Sequence, residues 1–442
     1  MTARPIPEVR ETKPGKLPPV VDETLDNGLR ILAARKPGIP MVQVRLRFGV
    51  TKTRDWGSGV LEDIVSTTIL TGTKSRSQTD IADEMQHIGG DVHSLVDADN
   101  LFISATCLAD ELDRYLALLN DIVRHATYPE EEVVLAKAQT EQGIAIMHSQ
   151  PAARAQFAIA ERVFPNHPYG RPMPQPHEVE PITRANARAY HRSVVRPGGA
   201  LLTLVGDVPP AKMVKAAERA LADWTGSRKP PKVPAPKPVV PGPVRLVHQA
   251  GAVQTNIRIG GLGVSRSHPD FPALTLALTI LGGGFTSRLN HNLREDKGYT
   301  YGASAGITHN VGASVVNVGV DVQTSVTAPA LVETLYELGR MATTVVTDEE
   351  LGAAKRFLVG QLAMSAETQA GLASYVTALA IAGLDVSYLR ELPVRAHKVT
   401  AEEVAAAAAK YLAPAMLAPV LVGDADIIGE TVGRVAPVEV SD

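Results

Sequence analysis

YPEEEVVLAK, residues 128 to 137, returns 218 positions later as VTDEELGAAK, residues 346 to 355. Each copy runs from a loop-ending residue through a block of acids into a helix, and Thr347 and Glu350 in the second have capping-box spacing. Ten residues alone decide little, so the flanking sequence has to agree. Ahead of the first copy, ELDRYLALLNDIV places Leu112, Tyr115, Leu116, Leu119, Ile122 and Val123 on one helical face. Ahead of the second, LVETLYELGRM does the same with Leu331, Leu335, Leu338 and Met341. Further upstream, MVQVRLRFGV (41–50) alternates Val42, Val44, Leu46 and Phe48 with polar residues. VQTNIRIGG (253–261) alternates Val253, Thr255, Ile257 and Ile259 in the same way, and both read as half-buried strands. Downstream, LLTLVGDV (201–208) is answered by LAPVLVGDAD (417–426). The order is the same in both halves. The expected fold is α+β: two homologous domains, each a mainly antiparallel sheet with one face covered by helices.

Between the copies lies SRKPPKVPAPKPVVPGP, residues 227 to 243, with proline at 230, 231, 234, 236, 238, 241 and 243. Such a segment favours extended polyproline conformation and spaces the halves as a semi-rigid strap. The expected organisation is an N-terminal extension (1–21), a first domain (22–226), a proline-rich linker (227–244) and a second domain (245–442).

Composition removes several function classes. The net charge of −3 gives no electrostatic reason to expect nucleic acid or an acidic membrane surface. A single cysteine, Cys107 in the apolar run LFISATCLAD, excludes a disulfide framework or thiolate cluster and reads as a buried, inert thiol. The longest uncharged stretch, Thr368 to Leu384, is short and polar for a membrane span and is expected as a buried Ala-rich helix. The N-terminal residues lack an apolar h-region, so a cytoplasmic location is expected, or a periplasmic or secreted one if a leader has been removed.

Among the twelve histidines no two stand four residues apart, the spacing that puts two imidazoles on one helical face toward a metal. They are expected as scattered surface and loop residues. No Gly-x-x-x-x-Gly-Lys-Ser/Thr, Gly-x-Ser-x-Gly or cysteine nucleophile is present.

Four stretches carry a resemblance: ETLDNGLRILAARKPGIPMVQVRLRFGV, TGTKSRSQTDIADEMQHIGGDVHS, FPNHPYGRPMP and, most specific, ILGGGFTSRLNHNLREDKGYTYGASAG. In order and spacing, residues 22 to 430 resemble the pitrilysin family of zinc peptidases, the inverzincins, and within it the mitochondrial-processing-peptidase-like branch. The resemblance implies half of a clamshell chamber. It also implies a helix that in active members carries His-x-x-Glu-His, two zinc ligands around a general base. Here those positions fall on Asp63, Ser66 and Thr67, within GVLEDIVSTTILTGT (59–73). Threonine is a poor zinc ligand, and a serine hydroxyl cannot take a proton from water at neutral pH. The third ligand of active members maps near TEQGIA, on Glu141, Gln142 or Gly143. No metal is therefore expected in this chain.

The same resemblance maps the family's Arg/Tyr pair onto Arg294 and Tyr301, and its glycine-rich substrate segment onto Gly282, Gly283, Gly284 and Phe285. A guanidinium can donate forked hydrogen bonds to substrate carbonyls, and a phenol can donate to an oxyanion. A chain with this pair and without the zinc motif is similar to the non-catalytic subunits of two-chain relatives. The expected partners are a His-x-x-Glu-His paralogue holding the zinc, and a peptide substrate. The competing expectation is a structural or peptide-binding protein of the same fold.

Overall fold

A computed structural model of the chain describes residues 17–50, 57–228, 233–239 and 241–441. Most of the expected N-terminal extension, and residues 229–232 and 240 of the linker, lie outside the described residues.

The first half runs β1 (Val20–Thr24), β2 (Arg30–Arg35), β3 (Met41–Gly49), α1 (Val60–Thr68), α2 (Gln78–His87), β4 (Asp91–Val96), β5 (Asn100–Leu108), α3 (Leu112–His125), α4 (Glu130–Ser149), α5 (Pro151–Val163), α6 (Arg184–Val194), β6 (Leu201–Gly206) and α7 (Pro210–Leu221). The second runs β7 (Val244–His248), β8 (Gln254–Leu262), α8 (Phe271–Gly282), a π-helical segment (Asn290–Asp296), β9 (Thr300–His309), β10 (Ser314–Gln323), α9 (Thr327–Thr343), α10 (Asp348–Glu367), α11 (Gln369–Ile381), α12 (Tyr388–Lys398), α13 (Ala401–Tyr411), β11 (Ala418–Gly423), α14 (Ala425–Gly433) and β12 (Val438–Ser441). The quoted repeat becomes α4 and α10, each of 20 residues. Thr347 caps α10 by accepting from the Glu350 N–H, while Glu350 reaches back to the Thr347 N–H.

The fold is α+β with two homologous domains. The sheets have orders β1-β2-β6-β3-β5-β4 and β12-β7-β11-β8-β10-β9. From β2 and β7 inward the two are superimposable in topology. The differences lie at the outer edges, where β1 is antiparallel to β2 and β12 parallel to β7. Most pairings are antiparallel, but β2–β6 and β7–β11 are parallel, since each joins strands separated by the helical crossover of its domain.

One expectation is corrected: the central strands are buried on both faces. In β2, Ile31 and Ala33 join the core formed with the first half's own helices, whereas Leu32 and Ala34 face the other way. That second face, with Leu201 and Val205 of β6, is covered by Leu372, Ala373 and Val376 of α11, a helix of the second domain. The exchange is reciprocal. Ala155, Ile159 and Val163 of α5 pack on Val247, Val420 and Val422 of the second sheet. Gly260 of β8 lets α5 approach, because a Cβ there would stand 3.1 Å from Ile159 Cγ1 and from Val163 Cγ2. The uncharged stretch 368–384 is thus the helix that closes the first sheet. Among the described residues no helix is long and apolar enough to cross a membrane.

The amphipathic faces of α3 and α9 are buried as expected, with Leu335 of α9 half-buried, and so is the alternate set of β3. Val253 is the exception: it stands before β8 begins and is 82% exposed. Two histidines are core residues, contrary to the surface expectation. His191 donates from Nε2 to Val123 O and accepts at Nδ1 from the Tyr128 hydroxyl, and burial holds it down at about 4. His167 is buried beside Tyr169 and donates to Pro234 O (2.9 Å), pinning the described part of the linker to the first domain. Cys107 is buried, which pushes its thiol up to about 12.

Candidate functional site

Helix α1 follows Gly59 at its N-cap, whose φ of 94° suits glycine, and packs against β4, α4 and α6. Its buried residues are Val60, Glu62, Ile64, Val65, Ser66 and Thr68. Asp63 and Thr67 share the exposed face. The protein wall around Asp63, together with the neighbouring Glu62 carboxyl, holds its own carboxyl up at about 6, with Arg171 pulling the other way. Ser66 is buried and shares a 3.0 Å hydrogen bond with the Ser94 hydroxyl of β4. Thr67 donates its hydroxyl back to the Asp63 carbonyl at 2.9 Å. Glu141, Gln142 and Gly143 all lie on the exposed face of α4.

One carboxylate and two hydroxyls already engaged in protein hydrogen bonds do not fit zinc, which takes imidazole, thiolate or carboxylate donors. A grouping of ligand-type side chains does occur in the second domain, at His248, Asp424 and Asp426. There Asp424 caps α14, accepting from the Asp426 and Gly251 N–H groups, and His248 Nδ1 accepts from the Ala425 N–H. That is capping chemistry.

The second-domain residues converge where the α1 positions do not. The Arg294 guanidinium lies over two rings, 4.3 Å from the Phe285 centroid and 5.0 Å from that of Tyr301. Such cation–π stacking holds an arginine in place while leaving its N–H edge able to donate. Arg294 also pairs with Glu295 at 3.4 Å, an exposed contact that contributes little. Tyr301 is 89% exposed and Phe285 61%, so the stack faces outward.

The backbone explains the display of Tyr301. Between β9 and β10 the register runs from Val320↔Ala303 to Val322↔Thr300, so Tyr301 and Gly302 together oppose Asp321. This is a β-bulge, which re-aims a side chain at the cost of ladder bonds. Thr300 replaces those bonds: its hydroxyl donates to Asp321 O (2.7 Å) and accepts from the Gly302 N–H (3.1 Å).

The glycines divide in their roles. Gly282 is buried, and a Cβ there would meet Ala305 N of β9 at 2.4 Å, so its part is close packing of α8 on the strand. Gly283 ends α8, donating to Thr279 O, and Gly284 turns the chain toward Phe285. Two further residues hold this turn, and the sequence reading missed them. Asn290 donates through Nδ2 to Gly284 O, Ser287 Oγ and Ala303 O, and accepts from the Ala303 N–H, tying the glycine turn to the bulged strand. Arg288, nearly buried, forms a two-pronged pair with Glu350 at 2.6 and 3.0 Å. That pair and the Thr347 cap hold the Glu350 carboxyl down at about 2. The spacing of Arg288 within FTSRL was visible; its acidic partner 62 residues on was not.

Comparison with known proteins gives a family. Residues 63–177 match the family described as Insulinase (Peptidase family M16), and residues 181–358 the family described as Peptidase M16 inactive domain. A protein of Mycobacterium tuberculosis (strain H37Rv), named an uncharacterized zinc protease, is 25% identical over 356 residues, 78% of this chain and 80% of its own length. One of the same name from Streptomyces coelicolor is 24% identical over 404 residues, 88% and 86% of the two chains. Among solved structures, a peptidase M16 inactive domain from Pseudomonas fluorescens aligns with a TM-score of 0.84 at 24% identity, covering 92% of this chain and 98% of that one. A protease from Helicobacter pylori gives 0.83 at 18% identity, covering 92% and 100%. Both structural likenesses bear on the fold.

Proposed function

Since this chain belongs to peptidase family M16, we propose that it is the non-catalytic, substrate-binding subunit of a heterodimeric zinc metallopeptidase acting on peptides or unstructured segments. The observation that carries this reading is the unequal state of the two half-sites. The α1 positions offer hydroxyls turned to Ser94 and Asp63, while a half-buried Arg294 is stacked between Phe285 and the exposed Tyr301. A paralogue carrying His-x-x-Glu-His supplies the zinc and the base, and the two chains close as halves of a clamshell. The Arg294 guanidinium donates to substrate backbone carbonyls. The Tyr301 hydroxyl donates to the carbonyl oxygen as negative charge develops on it during peptide bond hydrolysis. A purely structural role would not need a tyrosine held out on a bulge.

The test is reconstitution: purified chain mixed with a His-x-x-Glu-His candidate, assayed on an unstructured peptide. Cleavage by the mixture and by neither chain alone is the expected outcome. A stable pair with no cleavage, or a partner equally active without this chain, would leave it a scaffold.

A further inference from the structure

A cavity of about 310 Å³ lies on the seam between the domains, where β3, the β4–β5 and β9–β10 turns, the loop after β8 and α11 meet. Its charges are unequally satisfied. Asp97 accepts from the Asp99 and Asn100 N–H groups and from Asn100 Nδ2. Asp99 accepts from the Tyr169 hydroxyl and the Val311 N–H, and the Arg47 guanidinium feels the charge of both acids.

The two arginines of the cavity, Arg45 and Arg266, have no such partners. Arg45 reaches only the Ala370 carbonyl, at a long 3.4 Å, and its Nε is buried with no hydrogen bond. The Arg266 guanidinium has no hydrogen bond or ion pair among the described residues. Burial lowers the pKa of both, and no carboxylate opposes that effect at either. The remaining titratable group, His309, is bonded through Nδ1 to the Ser314 hydroxyl; burial, and then Arg266, holds it at about 4 and hence neutral. A guanidinium N–H buried without an acceptor, as at Arg45 Nε, is costly, and an anion supplied from outside would satisfy it and pair with the half-buried Arg266 beside the same cavity. The rest of the wall includes Phe102, Ile381 and Leu384, which a hydrated inorganic ion would leave uncovered.

We infer that this cavity binds a carboxylate carried on an apolar group, with Arg45 and Arg266 taking the carboxylate and Phe102, Ile381 and Leu384 the apolar body. The C-terminal residue of a peptide and a free organic acid share that chemistry. The inference stands on the cavity alone and is independent of the role proposed for Arg294 and Tyr301.

Calorimetric titration of the full chain tests it. The probes are 4-phenylbutyrate, its amide 4-phenylbutyramide, sodium phosphate, and the tripeptide acetyl-Gly-Gly-Leu with a free or amidated C-terminus. Saturable binding of 4-phenylbutyrate is expected, with the amide about tenfold or more weaker and phosphate unable to displace the acid. Arg45→Gln and Arg266→Gln should each weaken the acid by a similar factor and leave the amide unchanged. Displacement of the acid by the free-ended peptide, and not by the amidated one, assigns the site to chain ends; displacement by neither assigns it to small organic acids. No binding of the acid, equal affinity for acid and amide, displacement by phosphate, or unaltered affinity in both variants would overturn the inference. The acid–amide comparison uses unmodified protein, so a variant that fails to fold does not protect it.

Discussion

Tyr301 is a large aromatic residue left almost wholly in water, on a strand bulged to hold it there. A hydroxyl needed only as charge develops should matter to turnover and little to binding. In the reconstituted pair, Tyr301→Phe should lower kcat by roughly 10²-fold, the scale of losing one oxyanion donor, with KM near its original value. Arg294→Ala should raise KM as well, since a carbonyl clamp acts in the ground state, and Phe285 and Tyr301 lose the cation between them. Unchanged kinetics in both variants, with the complex intact by gel filtration, would remove these residues from the reaction. At α1, metal analysis of the purified chain should find far less than one zinc per molecule; a tightly held equivalent would show that Asp63 has found ligands other than Ser66 and Thr67.

At the scale of elements, the Arg288–Glu350 pair joins the segment after the glycine turn to the first turn of α10. Removing one member of a mostly buried pair leaves the other uncompensated. Arg288→Leu should cost about 2 kcal/mol, the partial exposure of Glu350 keeping it below the figure for full burial. The Glu350 carboxyl is held below its ordinary value, so its contribution is complete above about pH 4.5 and is lost as pH falls toward 2. Thermal unfolding of the two proteins across that range should therefore show the gap narrowing in acid; a gap independent of pH would mean packing alone is at stake. The elements themselves were largely legible in the sequence. Repeated periodicities gave α3, α9 and β3, and capping-box spacing placed the start of α10 at Asp348. Long-range partners were not legible. Asn290 reads as one polar residue in a polar run, and only the fold brings Gly284 and Ala303 to its amide. The bulge was equally hidden, because TYG fits regular strand until the register with β10 is known. The double burial of β2 did show, in the unbroken apolar run ILAA, but a one-face model of the sheet passed over it.

Across the whole molecule the two domains are joined by exchanged helices as well as by the linker. The described part of the linker is partly exposed yet pinned through Pro234 to His167, and Arg162 donates to Pro243 O. Limited proteolysis should cut within 227–243 before either domain, and the nicked halves should still co-elute on gel filtration, because α5 and α11 remain seated on each other's sheets. Separation of the halves on nicking would contradict the packing described, and first cuts inside either half would contradict the boundary. The exchange also bears on how the chain is made. The last strand of the first sheet, β6, ends at Gly206, but the helix that seals its second face does not begin until Gln369. At ordinary rates of synthesis that interval is on the order of ten seconds, during which Leu32, Ala34, Leu201 and Val205 lack their cover. A nascent chain of this protein therefore carries an apolar surface for other chains or chaperones to find, and a message truncated before α11 yields a product that cannot complete even its first domain.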